Sequence, residues 1–363
     1  MSRQGRVLVA MSGGVDSSVA ALLLHEEGFE VVGVTMKTWD YADTSGGKRV
    51  TGCCDLDSIH DARQLAVDLG FQHIILDLRE EFGNSIIENF VDEYMAGRTP
   101  NPCVLCNTFI KWEALLKRAD MMDCELIATG HYANVREENG RHIVSMGLDS
   151  AKDQSYVLWG VDRESLARTR FPVGGFHKSE IRELIRRSGY PALASKSESY
   201  EICFIPDNDY RGFLKRREPE ATKALANGVL MSSSGEVLGE HDGYPFFTVG
   251  QRKGLGIATG EPLYVTRIEP GTNTVVLGPK EELNKTRMWV RAPKFQKIDR
   301  LDGELEALVK VRYKDKGTPA TIRMDDERVL VEFHAQVAGI APGQSAVFYD
   351  GKDVLGGGFI DRE

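Results

Sequence analysis

Short apolar, β-branched runs alternate with amphipathic helical patterns through the first third of the chain, and this alternation constrains the fold more than any other feature. The runs lie at 6–10, 31–36, 73–78 and 125–129, with helical spacing at 16–27, 56–69, 80–96 and 104–122 between them. Strands that are apolar on both faces, separated by helices long enough to carry the chain back, build a parallel sheet covered on both sides. A further helix over 178–188 ends at Gly189 with Pro191 beyond it, ordinary stop chemistry. After Ile205 the texture changes. Turn residues become dense, as in Ser232-Ser233-Ser234-Gly235, and short alternating runs follow at 263–268 and 274–277. From Met288 onward strand-like runs recur at 305–313, 320–324, 329–333 and 345–349. The expected organisation is an α/β domain over 1–205, a small central domain over 206–284 and a β-barrel domain over 285–363.

Charge and cysteine content narrow the function. With 45 basic against 54 acidic residues, the formal charge of −9 excludes a uniformly basic nucleic-acid binder and leaves local basic patches to carry any such contact. Residues 1–6 are polar, the apolar run after them stops at Ser12, and no window approaches the roughly 18 apolar residues of a membrane span. A cytoplasmic location is expected, where thiols stay reduced. The six cysteines, at 53, 54, 103, 106, 124 and 203, are then candidates for catalysis or metal binding rather than structural disulfides.

The first strand runs directly into Ser12-Gly13-Gly14-Val15-Asp16-Ser17-Ser18, which opens an apolar helix. Two adjacent glycines let backbone N–H groups converge on an anion, the helix N-terminus adds its dipole, and three serine hydroxyls add donors. Asp16 is placed to cap the helix or to bind Mg²⁺. A plain serine-capped turn is the bland alternative, and the complete string at a strand-to-helix junction favours phosphate binding over it. No Walker-type Gly-Lys-Ser/Thr is present, so the loop has no lysine of its own to grip a γ-phosphate. The string resembles the pyrophosphate loop of the ATP-pyrophosphatase group, whose members cleave ATP between the α and β phosphates and adenylate an oxygen.

Cys103 and Cys106, in Asn101-Pro102-Cys103-Val104-Leu105-Cys106-Asn107, open a second helix and share its first turn. At that position the helix dipole is expected to lower their thiol pKa values. Cys203 lies in Glu201-Ile202-Cys203-Phe204-Ile205, far downstream. Cys124 reads as a buried inert thiol, and Cys53 and Cys54 are evenly balanced between inert and functional. A structural zinc site would need four ligands where three cysteines are plausible.

These segments, together with Ala128-Thr129-Gly130-His131-Tyr132, Lys152-Asp153-Gln154-Ser155-Tyr156 and Val311-Arg312-Tyr313, resemble the bacterial tRNA-specific 2-thiouridylase family in the same order along essentially the whole chain. The resemblance implies a Rossmann-like α/β nucleotide hydrolase domain with a parallel sheet, a central tRNA-binding domain over 206–284 and a C-terminal β-barrel, with tRNA docked across all three. It implies that ATP, with Mg²⁺, adenylates O2 of the wobble uridine, and that a sulfur then displaces AMP. By the same resemblance Ala10, Met11, Ser12, Gly13, Gly14, Val15, Asp16, Ser17, Met36 and Gly130 contact ATP. Cys106 corresponds to the nucleophile and Cys203 to the persulfide carrier. Asn101, Pro102, Cys103, His131, Lys152, Asp153, Gln154, Arg312, Tyr313 and Gln344 correspond to tRNA contacts. The implied partners are the anticodon stem-loops of lysine, glutamate and glutamine tRNAs, and a cysteine desulfurase or sulfur-relay protein.

Many members carry Asn-Pro-Asp where this chain has Asn101-Pro102-Cys103, which leaves the aspartate's role unfilled. For members with this cysteine the resemblance implies a second possibility, a [4Fe–4S] cluster on Cys103, Cys106 and Cys203, and persulfide and cluster chemistry both stay open at this level. Two basic stretches are candidates for RNA phosphates: 163–187, with seven basic and three acidic residues, and Arg211, Lys215, Arg216 and Arg217. A synthetase acting on a small metabolite would explain the loop but not the cysteines. A non-enzymatic sulfur carrier would leave the loop without a purpose.

Overall fold

The computed structural model describes residues 4–39, 56–197, 202–257 and 260–363. Cys53, Cys54 and Glu201 lie outside the described residues. The chain divides into two compact units: the first comprises 1–86, 103–208 and 352–354, the second 87–102, 209–351 and 355–363.

The first unit follows the expected alternation: β1 (Arg6–Ala10), α1 (Val15–Glu26), β2 (Glu30–Lys37), α2 (Leu56–Leu69) and β3 (Gln72–Asp77). The helical stretch predicted over 80–96 is broken into α3 (Arg79–Phe82), a π-helical turn (Gly83–Ile87) and α4 (Glu88–Met95), and α4 belongs to the second unit. The stretch predicted over 104–122 is α5 (Pro102–Leu105), a nine-residue π-helical run (Cys106–Ala114) and α6 (Leu115–Met121). After it come β4 (Leu126–Ala128), the hairpin β5 (Ala133–Glu138) and β6 (Arg141–Met146), α7 (Arg163–Ala167), β7 (Thr169–Arg170) and α8 (Lys178–Arg187). The sheet order is β3-β2-β1-β4-β7, and every pair is parallel.

Helix α1 buries nearly its whole circumference, which explains its apolar sequence. Val15, Val19 and Leu22 pack with Ile181, Ile185 and Leu193 on one side, and Ala21 and Leu24 pack with Val7, Val9 and Leu65 on the other. At about 1.5–3 kcal/mol per buried large aliphatic side chain, these layers hold the start of α1 rigidly against the sheet.

The second unit contains a four-stranded sheet of β8 (Gly228–Ser232), β9 (Val237–His241), β10 (Tyr264–Glu269) and β11 (Thr274–Gly278), ordered β10-β11-β8-β9. It also contains an antiparallel barrel of β12 (Asn284–Phe295), β13 (Leu305–Lys310), β14 (Thr318–Asp325), β15 (Arg328–Ala338), β16 (Ser345–Asp350) and β17 (Asp353–Ile360), the first two residues of β17 being grouped with the first unit. Pairing of Val290 with Ile360 and of Phe295 with Gly356 joins β12 to β17 and closes the barrel. Its interior is apolar and mostly aliphatic, with Val290, Val309, Ile322 and Val331 buried together with the Phe348 ring. Closure removes the free sheet edges that an open antiparallel sheet would expose. The strand predicted over 305–313 stops at Lys310, so Arg312 and Tyr313 lie in the turn beyond it, both exposed. No helix among the described residues is long and apolar enough to cross a membrane.

Candidate active site

In the parallel sheet the strand order reverses between β1 and β4, and open α/β sheets bind ligands at the carboxyl ends of strands beside such a reversal. Ala10 and Met11 leave β1 at this edge, Met36 lies near the end of β2, and Gly130 follows β4. Adjacent strands therefore bring these sequence-predicted residues to one edge. Met11 N donates to Val34 O (2.8 Å), and Thr35 Oγ1 donates to Met11 O (2.8 Å). The Thr35 hydroxyl proton is thus committed, so His73 Nε2, 2.9 Å away, must be the donor in that contact. Burial, with help from Arg63, lowers the His73 pKa and keeps the ring neutral.

The two glycines have separate tasks. Gly13 has φ +69°, and a β-carbon there would lie 2.0 Å from Ser58 O, so the loop presses on the first turns of α2. Gly14 is the N-cap of α1, with no side chain to satisfy the leading N–H groups, and these remain available to an anion. Ser12 N donates to Ser17 Oγ (3.1 Å), and Ser17 Oγ donates to Gly14 O (3.2 Å), bracing the loop. Two expectations need correction. Ser18 is fully buried with its hydroxyl turned into the core, because neighbouring helical residues point about 100° apart, so the loop has two serine hydroxyls rather than three. Asp16 does not cap the helix. Its carboxylate receives Lys178 Nζ at 2.7 and 2.8 Å and Tyr132 Oη at 2.7 Å. Gly130 also has a local reason: a β-carbon there would lie 2.6 Å from Ser17 N, so glycine lets the chain after β4 press against the first turn of α1.

Two lysines that the spacing did not reveal stand at the loop. Lys178 is buried beside Asp16. Lys196 Nζ donates to Gly13 O (3.0 Å), Ser58 Oγ (3.2 Å) and Asp61 (2.7 Å), holding the Gly13 carbonyl from behind. Both lie far from residues 12–18 in sequence, so no local pattern could have found them.

The cysteine helix starts at Pro102. Cys103 is exposed, and Cys106, half-buried, begins the π-helical run. Such widened turns recur at functional sites. Asn107 Nδ2 donates to Val157 O (2.8 Å) and Trp112 Nε1 to Thr169 Oγ1 (2.8 Å), fastening the run from inside. The expected lowering of thiol pKa fails at Cys103. Surrounding protein desolvates the thiolate and raises its pKa, and Lys111 offsets only part of this. Cys103 is thus an exposed residue whose thiol is held in the neutral form. Cys203 occupies a turn closed by Ile205 N donating to Ile202 O (2.8 Å), and Phe204 anchors it edge-on to Phe82. Cys124 is buried, as expected. No group of three or more His, Cys, Asp or Glu among the described residues is arranged to hold a metal ion.

Residues expected at tRNA are placed variously. His131 is buried, with Nδ1 2.6 Å from Thr129 Oγ1 and Nε2 3.3 Å from Lys111 Nζ. The ammonium donates to Nε2, so the ring proton sits on Nδ1, and burial together with Lys111 drives the pKa well below the usual value. Asp153 accepts from Gly147 N (3.1 Å) and from Ser155 N and Oγ, while Gln154 Oε1 accepts from Tyr132 N (2.9 Å). Both shape their own loop, and Lys152 beside them is half-exposed. In the second unit Gln344 Nε2 donates to Thr99 O (3.1 Å) and Pro100 O (2.8 Å), steadying the segment that ends in Asn101 and Pro102. The basic stretch 163–187 is not a continuous free patch. Arg168 bonds Glu125 O and Cys124 O, Arg182 bonds Ala194 O, Arg186 and Arg187 pair with Glu183, and Lys178 is at Asp16.

The family model described as the tRNA methyl transferase HUP domain matches residues 5–207, the PRC-barrel domain model of the same name matches 211–279, and the aminomethyltransferase β-barrel domain model matches 285–360. A relative from Cytophaga hutchinsonii, tRNA-specific 2-thiouridylase MnmA, is 58% identical over 361 residues, covering 99% of this chain and 98% of that protein. The chain belongs to the tRNA-specific 2-thiouridylase family. Two further members of this 2-thiouridylase family are similarly near: that of Amoebophilus asiaticus is 60% identical, covering 99% of this chain and 96% of that protein, and that of Salinibacter ruber is 56% identical, covering 99% and 95%.

Proposed function

We propose that this chain is a cytoplasmic tRNA-uridine 2-sulfurtransferase that converts the wobble uridine to 2-thiouridine at the expense of ATP. The observation that carries the reading is that one compact unit holds both an anion-binding loop at a strand-order reversal and two accessible thiols, Cys106 and Cys203. The thiols favour the 2-thiouridylase name of the relatives over the methyltransferase name of the domain models. The domain division 1–205, 206–284 and 285–363 is part of the same proposal.

Residues 10–17, with Met36 and Gly130, bind ATP so that the leading N–H groups of α1 take the β and γ phosphates. Uridine O2 attacks the α-phosphorus and pyrophosphate departs. Of the residues at the loop only Asp16 offers a carboxylate near the phosphates, so Mg²⁺, which would neutralise phosphate charge, would be held by Asp16 and the phosphates themselves. Cys203 carries the persulfide, loaded by a cysteine desulfurase or relay protein. Its terminal sulfur attacks C2, and AMP leaves with the former O2 oxygen. The Cys106 thiolate then attacks Cys203 Sγ, which frees the 2-thiouridine sulfur and leaves a disulfide for reduction. Cys103, held as a neutral thiol, stands where many family members place an aspartate and is not the nucleophile. Asn101, Pro102, His131, Lys152, Asp153, Gln154, Arg312, Tyr313 and Gln344 serve the tRNA, some directly and others, such as Gln344 and Gln154, by shaping the loops that do. The substrates are the anticodon stem-loops of lysine, glutamate and glutamine tRNAs.

The test is incubation with unmodified tRNA, ATP, Mg²⁺ and a cysteine desulfurase, followed by nucleoside analysis. Wild-type protein should yield 2-thiouridine with one AMP released per modified base. Cys106→Ser and Cys203→Ser should each yield none while still binding ATP and tRNA. AMP release without 2-thiouridine, or full activity of either variant, rejects the mechanism.

A further inference from the structure

The loop after Phe247 is a surface feature that the proposed chemistry does not use. It reads Thr248-Val249-Gly250-Gln251-Arg252-Lys253-Gly254, and Arg252 and Lys253 are both exposed. No carboxylate among the described residues pairs with either side chain, although acidic residues outnumber basic ones in the chain. The backbone beneath them is held in place. Gln251 Oε1 accepts from Thr248 N (3.1 Å), and its Nε2 donates to Lys253 O (2.9 Å). Gly250 N donates to Val265 O (2.8 Å), and Val265 N donates back to Gln251 O (2.9 Å).

A third cation lies alongside. Arg211 packs its guanidinium over the Phe247 ring (5.6 Å), and a β-carbon on Gly254, whose φ is +69°, would stand 3.7 Å from Arg211 Nη2. The loop is also tied to the segment that leads into the cysteine helix, because Thr99 Oγ1 donates to Thr248 Oγ1 (3.2 Å) within the same compact unit. Exposed, unpaired cations on a braced backbone suit a polyanion gripped by its phosphates, without reading of bases.

We propose that Arg252 and Lys253, supported by Arg211, bind the phosphate backbone of the RNA substrate and set its distance from the 99–102 segment. This rests on the reading of the chain as a tRNA-modifying enzyme. The test measures binding of unmodified tRNA to wild type and to the Arg252→Gln/Lys253→Gln variant over a series of salt concentrations, together with ATP binding and urea unfolding. Each phosphate contact contributes a slope of about 0.7–0.9 in log K against log salt, so the variant should lose about 1–2 in slope and bind roughly tenfold or more weakly at physiological salt. ATP affinity and the unfolding curve should not move. An unchanged slope and affinity overturns the inference, as does loss of ATP binding equal to the loss of tRNA binding, which would assign the cations to nucleotide phosphates. Wild-type protein that binds tRNA yet makes no 2-thiouridine counts against the proposed reaction and leaves the loop's result standing. If wild type makes 2-thiouridine and the variant matches it in slope, the loop's role alone fails.

Discussion

Removing the carboxylate of Glu93 should destabilise the second unit by a few kcal/mol, because this buried group neutralises two arginines from different elements. Glu93, on α4, is 7% exposed. It accepts from Arg98 at 2.6 and 2.8 Å, and from Arg291 on β12 at 3.0 and 3.1 Å. A lone buried charge left by deleting its partner costs about 3–5 kcal/mol. The two guanidiniums keep 27% and 35% of their side-chain surface, so water recovers part of that cost. Glu93→Ala should therefore cost about 2–4 kcal/mol, and Glu93→Gln, which keeps the shape and one acceptor, about 1–2 kcal/mol. The alanine variant also leaves Arg98 beside Arg362, whose pKa is lowered by burial and by Arg98. Because a chain with two compact units need not unfold in one step, the readout is amide hydrogen exchange in α4 and β12 alongside urea unfolding. A cycle pairing Glu93→Gln with Arg98→Met isolates the coupling. A loss under about 0.5 kcal/mol for Glu93→Ala would rank the triad with ordinary surface pairs and refute the argument.

His131 has a folded pKa well below its unfolded value of about 6.5, so below that pH the unfolded chain takes up a proton that the folded chain cannot. Stability should fall as pH drops below about 6.5, and His131→Gln should flatten that slope; an unchanged slope in urea titrations at pH 5–7 would contradict the burial argument. Gly130→Ala places a methyl 2.6 Å from Ser17 N and must displace the start of α1, so ATP should bind about tenfold or more weakly, near 1.4 kcal/mol, while Cys106 alkylates at its normal rate. Unaltered ATP affinity by equilibrium dialysis would show that the loop tolerates the shift. Cys103, exposed but with a raised pKa, should alkylate more slowly at pH 7.5 than its accessibility suggests and speed up as pH rises. Site-resolved mass spectrometry that finds Cys103 labelled first would overturn this.

The sequence by itself determined the parallel α/β unit, the loop at the end of β1 and the change to β structure beyond Ile205. Each follows from spacing along the chain: two-residue and 3.6-residue periods and turn residues act over a few neighbours. Even within this local range some detail stayed hidden. The π-helical runs at Gly83–Ile87 and Cys106–Ala114 carry ordinary helical spacing, and what marks them out, such as the Asn107 bond to Val157 O, lies in the packing. Tertiary structure alone decided the electrostatics of the site. Asp16 finds Lys178 across 162 positions, Gly13 finds Lys196 across 183, and Glu93 finds Arg291 across 198. The same holds for the cysteine helix, where the dipole argument predicted a lowered Cys103 pKa and the protein packed around that thiol raised it. Periodicity fixes which way a side chain leaves the backbone, but a charge responds to every group and every missing water within several ångströms, and only the folded chain sets those neighbours.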